Sequence, residues 1–118
     1  MKPFMKPSSA KSKGRRLQQW AAERIAGLVG VPHGKDSPVE SRPMGQSGPD
    51  IRMESHVRKL FPFSVECKCQ ENWSVHNWIK QAKQNQVDGT EWLLICKRNR
   101  QEPVIIMDAK AFFKLMED

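Results

Sequence analysis

The chain has 118 residues, 38% of them hydrophobic, with four Trp and five Phe; that suits one domain with one modest core. No apolar run approaches the roughly 20 residues that cross a bilayer, which excludes a helical membrane protein, and three cysteines exclude a disulfide framework. The net charge of +7 is uneven: residues 1–16 hold six of the 20 basic residues and no acid, leaving 14 basic against 13 acidic residues in the rest.

A basic arm on a near-neutral domain points to a polyanionic partner. Nucleic acid is favoured over membrane because no amphipathic basic-aromatic helix accompanies the charge. Residues 1–13, rich in Pro, Ser and Lys, read as a disordered arm that can order on binding. Residues 14–118 read as a single domain. The absence of an apolar leader at the N-terminus suggests a cytoplasmic protein.

The spacing of Leu17, Trp20, Ala21, Ile25 and Leu28 predicts a helix from Arg15 or Arg16 to about Gly30. Residues 32–49 carry four prolines and three glycines and read as a long loop, with room for a short strand around Val39 to Arg42. Ile51 to Met53 is a short strand and Glu54 to Pro62 a connection. Phe63 to Cys69, partly β-branched and preceded by Pro62, is the central strand. Ser74 caps a helix to about Gln86, with Val75, Trp78, Ile79 and Ala82 inward. Trp92 to Cys96 and Val104 to Met107 are strands joined by a basic tetrapeptide, Lys97 to Arg100. Asp108 caps a last helix, Ala109 to Met116. This order predicts an α/β fold with a mixed sheet flanked by helices.

The central strand carries the chemistry. Alternation puts Val65, Cys67 and Cys69 on one face, and Glu66 and Lys68 on the other, roughly 7 Å apart along the strand. Asp50 arrives from the Gly48-Pro49 turn at the start of the second strand. Two carboxylates able to share a divalent cation, with an ammonium beside them, are the parts needed to hydrolyse a phosphodiester. The backbone carbonyl of Cys67 can add a further hard ligand, and Lys68 can orient the nucleophile or neutralise charge on the phosphate. An exposed Glu-x-Lys pair with no function remains the alternative for the strand taken alone. Cys67, Cys69 and Cys96 read as small apolar residues in a reducing compartment, and His33, His56 and His76 as surface residues without metal spacing. Arg15, Arg16, Arg42, Lys80, Lys97, Arg98 and Arg100 are candidate phosphate contacts. Trp78 has the spacing of a core residue, and Trp73 can either stack on a base or pack.

Gly48-Pro-Asp50 followed by Glu66-Cys-Lys68 resembles the Pro-Asp … Asp/Glu-x-Lys signature of the restriction-endonuclease-like, or PD-(D/E)XK, nuclease superfamily. The wider stretches Ser47–Arg52, Phe61–Lys68 and Leu94–Arg100 resemble small phage-encoded members of the Holliday junction resolvase-like kind, over about Gly14 to Leu115. The resemblance implies a restriction-endonuclease-like core with a mixed central sheet of four to five strands. It implies Asp50 and Glu66 as metal ligands, with Mg²⁺ as cofactor and Mn²⁺ as substitute, and Lys68 as the catalytic lysine. Many members add a Glu from the first helix. Here Gln18 borders the apolar stripe and takes that place, since Glu23 falls on the far face. Gln81 matches a glutamine often found near the site; an ordinary exposed helix residue is its alternative. The implied activity is metal-dependent cleavage of DNA by a homodimer acting on four-way junctions, in a bacterial cell or a phage-infected one. A less selective nicking or restriction-type nuclease, or a non-catalytic DNA-binding protein, are the alternatives.

Overall fold

The computed structural model describes residues 7–43 and 45–117. In chain order these form α1 (Pro7–Val29), β1 (Val39–Ser41), β2 (Ile51–Met53), α2 (Ser55–Leu60), β3 (Phe63–Cys69), α3 (Val75–Gln84), β4 (Glu91–Lys97), β5 (Val104–Met107) and α4 (Ala109–Leu115). No helix among the described residues is long and apolar enough to cross a membrane.

Helix α1 starts at Pro7, so residues 7–13 are helical where the sequence reading placed a disordered arm. Proline at the first helical position forfeits no hydrogen bond. Lys13 also ties this turn to the domain, its Nζ donating to Asn99 Oδ1 at 2.6 Å. Lys2 and Lys6 of the arm lie outside the described residues. The buried stripe of α1 is Leu17, Gln18, Ala21, Ala22, Ile25 and Ala26. Trp20 and Leu28, expected in that stripe, are exposed. The three alanines let the helix sit close to the strands, which rotates its packed face away from Trp20 and puts Gln18 near the centre of that face.

Strands β3, β4 and β5 form a mixed three-stranded sheet, β3 and β4 parallel and β4 and β5 antiparallel. The β3-α3-β4 unit supplies the helical crossover that parallel neighbours need. The expected four to five strands in one sheet are therefore divided: β1 and β2 make a separate antiparallel ribbon. One backbone bond, Asp50 N–H to Val65 O at 2.9 Å, ties that ribbon to β3. The next donor along β3, the Cys67 N–H, goes to the Asp50 side chain instead of to a strand carbonyl. A carboxylate thus occupies a position where the ladder would have continued. Helix α2, in the expected connection, is too short to show a period but buries Val57.

Each face of the sheet has its own core. Val65, Cys67, Leu93 and Ile95 pack with α1 and the β1–β2 ribbon. Trp92, Leu94 and Cys96 pack with Trp78 and Ala82 of α3. Trp78 is therefore core, as its spacing implied. Asp108 caps α4 as expected, accepting from the Ala111 N–H at 3.0 Å.

Candidate active site

Period-two alternation decides which residues can meet. Ser64, Glu66 and Lys68 face α3, opposite to Val65 and Cys67. Ser64 anchors the lower end of this face: its Oγ shares a 2.7 Å hydrogen bond with Thr90 Oγ1 and accepts from the Val87 N–H. Those bonds pin the loop after α3 to β3, and hold the C-terminal end of α3 over Glu66.

Gln81 and Asn85 lie four residues apart, on one face of α3 and its C-cap. Gln81 Oε1 accepts from Lys68 Nζ at 2.8 Å, and Asn85 Nδ2 donates to Glu66 Oε1 at 2.6 Å. The Lys68 ammonium also lies 5.8 Å from the Trp78 ring centre, within cation–π range. Asn85 went unnoticed in the sequence; its i, i+4 relation to Gln81 is the signal that could have found it.

Asp50 enters from the other side. Its Oδ2 accepts the Cys67 N–H at 2.8 Å. The N–H and C=O of one strand residue leave on the same side, so the Cys67 carbonyl shares the Asp50 edge, whereas its thiol is buried towards α1. The turn that delivers Asp50 needs Gly48, whose φ is +98°. A Cβ there would stand 3.3 Å from the Arg42 guanidinium, which itself donates from Nε to Pro49 O at 2.7 Å.

The electrostatics mark the two acids as a pair. Burial pushes the Glu66 carboxyl up to about 7, and the Asp50 charge pushes the same way against the Asn85 amide, which favours the carboxylate. Asp50 is raised as well, by burial first, although the Cys67 N–H, Lys68 and Arg42 all favour its charged form. Near neutral pH such a pair holds a proton between two carboxylates. A divalent cation relieves the same repulsion, and two carboxylates with a backbone carbonyl are the hard oxygen donors that Mg²⁺ takes. The donor set therefore fits the metal that the family pattern implies. Among the described residues no group of three or more His, Cys, Asp or Glu could hold a metal, so any ion here would rest on the acid pair, backbone oxygen and water.

Gln18 does not join this cluster. It is 5% exposed and accepts from Ser41 Oγ at 2.9 Å; no hydrogen bond links it to Asp50 or Glu66 among the described residues. Its place at the centre of the packed face of α1, rather than at the border, explains the difference. Of the candidate phosphate contacts, only Arg42 lies beside the acids. Arg98 is committed elsewhere, its Nε donating to Glu71 O and its guanidinium stacking 4.1 Å over Trp73; that stacking also occupies Trp73. Lys80 is exposed on α3, and Arg15 and Arg16 are exposed on α1. Lys97 and Arg100 stand at the far end of β4, on the α1 side of the sheet.

Residues 11–118 match the model of the family described as "Phage putative PDDEXK endonuclease". No curated protein and no solved structure matches the chain. The family match spans nearly the whole sequence and includes Asp50, Glu66 and Lys68, and on that ground the chain belongs to the phage PD-(D/E)XK endonuclease family.

Proposed function

We propose that the chain is a metal-dependent endodeoxyribonuclease that cuts four-way DNA junctions as a homodimer. The observation that carries the nuclease reading is the convergence of Asp50, Glu66 and Lys68 at one end of α3, two raised carboxyls beside one ammonium. Asp50, Glu66 and the Cys67 carbonyl would hold the cation, Mg²⁺ or its substitute Mn²⁺. When bound, it supplies charge at the scissile phosphate and makes a bound water more acidic. Asn85 holds one oxygen of the Glu66 carboxylate and so fixes its orientation. Gln81 holds the Lys68 ammonium where it can orient a water or balance charge on the phosphate. Arg42, beside Asp50, is placed to meet the DNA backbone.

Two features support the dimer. Strand β5 is the edge of the mixed sheet and exposes Val104 and Ile105. Helix α4 and its C-cap Met116 expose Phe112, Phe113, Leu115 and Met116, and the helix buries only Ala111. An apolar edge strand and an apolar helix in one stretch of chain suit an isologous contact with a second copy. Such a contact would present two cutting sites to the two symmetric strands of a junction. The paired substitution Ile105→Lys with Phe113→Glu is expected to give a monomer in sedimentation. It should also uncouple the two cuts in a junction; a wild-type chain that already sediments as a monomer on DNA would remove this part of the proposal.

The function itself is tested with purified protein, Mg²⁺ and matched substrates. A synthetic four-way junction is expected to be cut in preference to linear duplex of the same sequence, and EDTA should stop the reaction. Equal cutting of both substrates identifies a nicking nuclease instead. Binding without cleavage under any divalent ion identifies a non-catalytic DNA-binding protein.

A further inference from the structure

A cleft of about 820 Å³ lies away from the acid pair. It lies where the first half of α1 passes the C-terminal ends of β3 and β4, on the α1 side of the sheet. Four cations line it: Lys13 and Arg16 from α1, and Lys97 and Arg100 from the end of β4 and the turn after it. Two acids, Glu71 and Glu102, also line it, and Glu71 already accepts the Asn99 N–H at 2.6 Å. None of the four cations forms a salt bridge among the described residues; the ion pairs there are Arg52 with Glu40 and His56 with Glu54. The groove thus holds four cations against two acids, with none of those cations in an ion pair among the described residues. Trp20 stands in the wall, 37% exposed, when its place in the helix suggested burial.

We propose that this groove binds a single-stranded segment of DNA next to the cutting site, with an unpaired base on Trp20 and its phosphates on Arg16, Lys97 and Arg100. The proposal rests on the nuclease reading above and adds a substrate feature to it. Cations in excess and free of ion pairs around an exposed aromatic are the combination that holds single strands, because the backbone supplies charge and each unpaired base a face to stack. In a duplex those base faces are already covered. Arg24 lies over one face of the Trp20 ring, 5.2 Å from its centre, so a base would stack on the other face. The end of β3 links the two sites: Lys68 faces the acids and its neighbour Cys69 faces the groove. A strand leaving the scissile phosphate would round this end of β3 to reach the groove on the opposite face of the sheet. The structure therefore points to substrates with an unpaired stretch beside the cut, such as a flap or a gap at a branch point or a frayed end.

Cys69 provides the probe. It lines the groove and is partly exposed, whereas Cys67 and Cys96 are buried. Burial keeps both of those thiols from an alkylating reagent. In full-length protein carrying Asp50→Asn, to prevent cutting, iodoacetamide is expected to modify Cys69 first. A short oligothymidylate should slow that modification several-fold, and a blunt duplex of equal length should not. Trp20→Ala is expected to weaken oligothymidylate binding about tenfold, and Arg100→Ala to reduce the salt dependence of log Kd by about 0.7. Both positions are exposed, so neither variant threatens folding. Equal protection by duplex overturns the single-strand assignment. If wild-type protein cuts DNA with Mg²⁺ while Cys69 stays unprotected and Trp20→Ala binds normally, the groove proposal fails and the nuclease reading stands. Failure of the wild type both to cut and to bind DNA ends the two together.

Discussion

Asp50→Asn and Lys68→Ala are each expected to lower Mg²⁺-supported cleavage by about a thousandfold or more, with DNA affinity changed by no more than about twofold. The two substitutions remove different things from the same site. The amide oxygen of Asn can still accept the Cys67 N–H, and the backbone bond from Asp50 N–H to Val65 O that ties the β1–β2 ribbon to β3 is untouched. What disappears is one of the two charges that would hold the cation. Lys68→Ala leaves both carboxylates in place; it takes from Gln81 its hydrogen-bond donor, from the Trp78 ring a nearby cation, and from the two acids a neighbouring positive charge. Gln81 is exposed, so water replaces the lost ammonium and no buried group is orphaned. Folding is thus preserved in both variants, and single-turnover cleavage of a junction isolates the chemistry. The pair can be told apart by metal response. Asp50→Asn should lose the thermal stabilisation that Mg²⁺ gives, whereas Lys68→Ala should keep it or increase it, since a competing positive charge has gone. Lys68→Ala cleaving within about tenfold of wild type would refute the role assigned to the lysine.

The sequence carried the strand of Glu66 and Lys68 more clearly than the fold around it. Glu66 and Lys68 could be placed on one face because strand alternation needs no tertiary information, and the structure puts both towards α3. Asp50 was legible through the Gly-Pro turn before it, a turn whose backbone requires glycine. The division of the sheet was not legible. It depends on Asp50 Oδ2 taking the Cys67 N–H, a side-chain bond between residues 17 positions apart that no local pattern announces. The orientation of α1 was misread for a related reason. Large apolar residues dominate a helical wheel, so Trp20 and Leu28 drew the stripe towards themselves, while close packing selects the small Ala21, Ala22 and Ala26. That error moved Gln18 from the packed centre to the border, and so towards a cleft it does not reach. The basic residues had no period to order them. Only the fold shows Lys13 and Arg16 meeting Lys97 and Arg100 across the end of β3.

Without divalent metal the folded chain is expected to lose stability as pH rises from about 4.5 to above 7, in the reverse sense to ordinary acid denaturation. Glu66 titrates at about 7 in the fold and has an ordinary value of 4.5. Between those values the folded chain binds more protons than the unfolded one, so the slope of unfolding free energy against pH is negative. The contribution is complete below pH 4.5 and is gone once pH has passed 7. Asp50 is raised too and adds to the same slope. Other groups also shape the curve, so the decisive quantity is the difference between wild type and Glu66→Gln. The Gln side chain keeps an oxygen for Asn85 Nδ2 and adds no buried charge. It is expected to stabilise the metal-free protein by about 1–2 kcal/mol at high pH, and by little at low pH. Such a gain on deleting a site carboxylate is the stability–activity conflict expected where charge is held for function. Millimolar Mg²⁺ should act in the opposite order. The cation competes with protons for the same oxygens, so it should raise the wild-type Tm at high pH and hardly at low pH, and should do little for Glu66→Gln. Thermal melts of both proteins across this pH range, with Mg²⁺ and with EDTA, measure all of this without reference to cleavage. A wild-type curve parallel to that of Glu66→Gln would mean that the two carboxyls do not share a proton, and the shared cation would go with it.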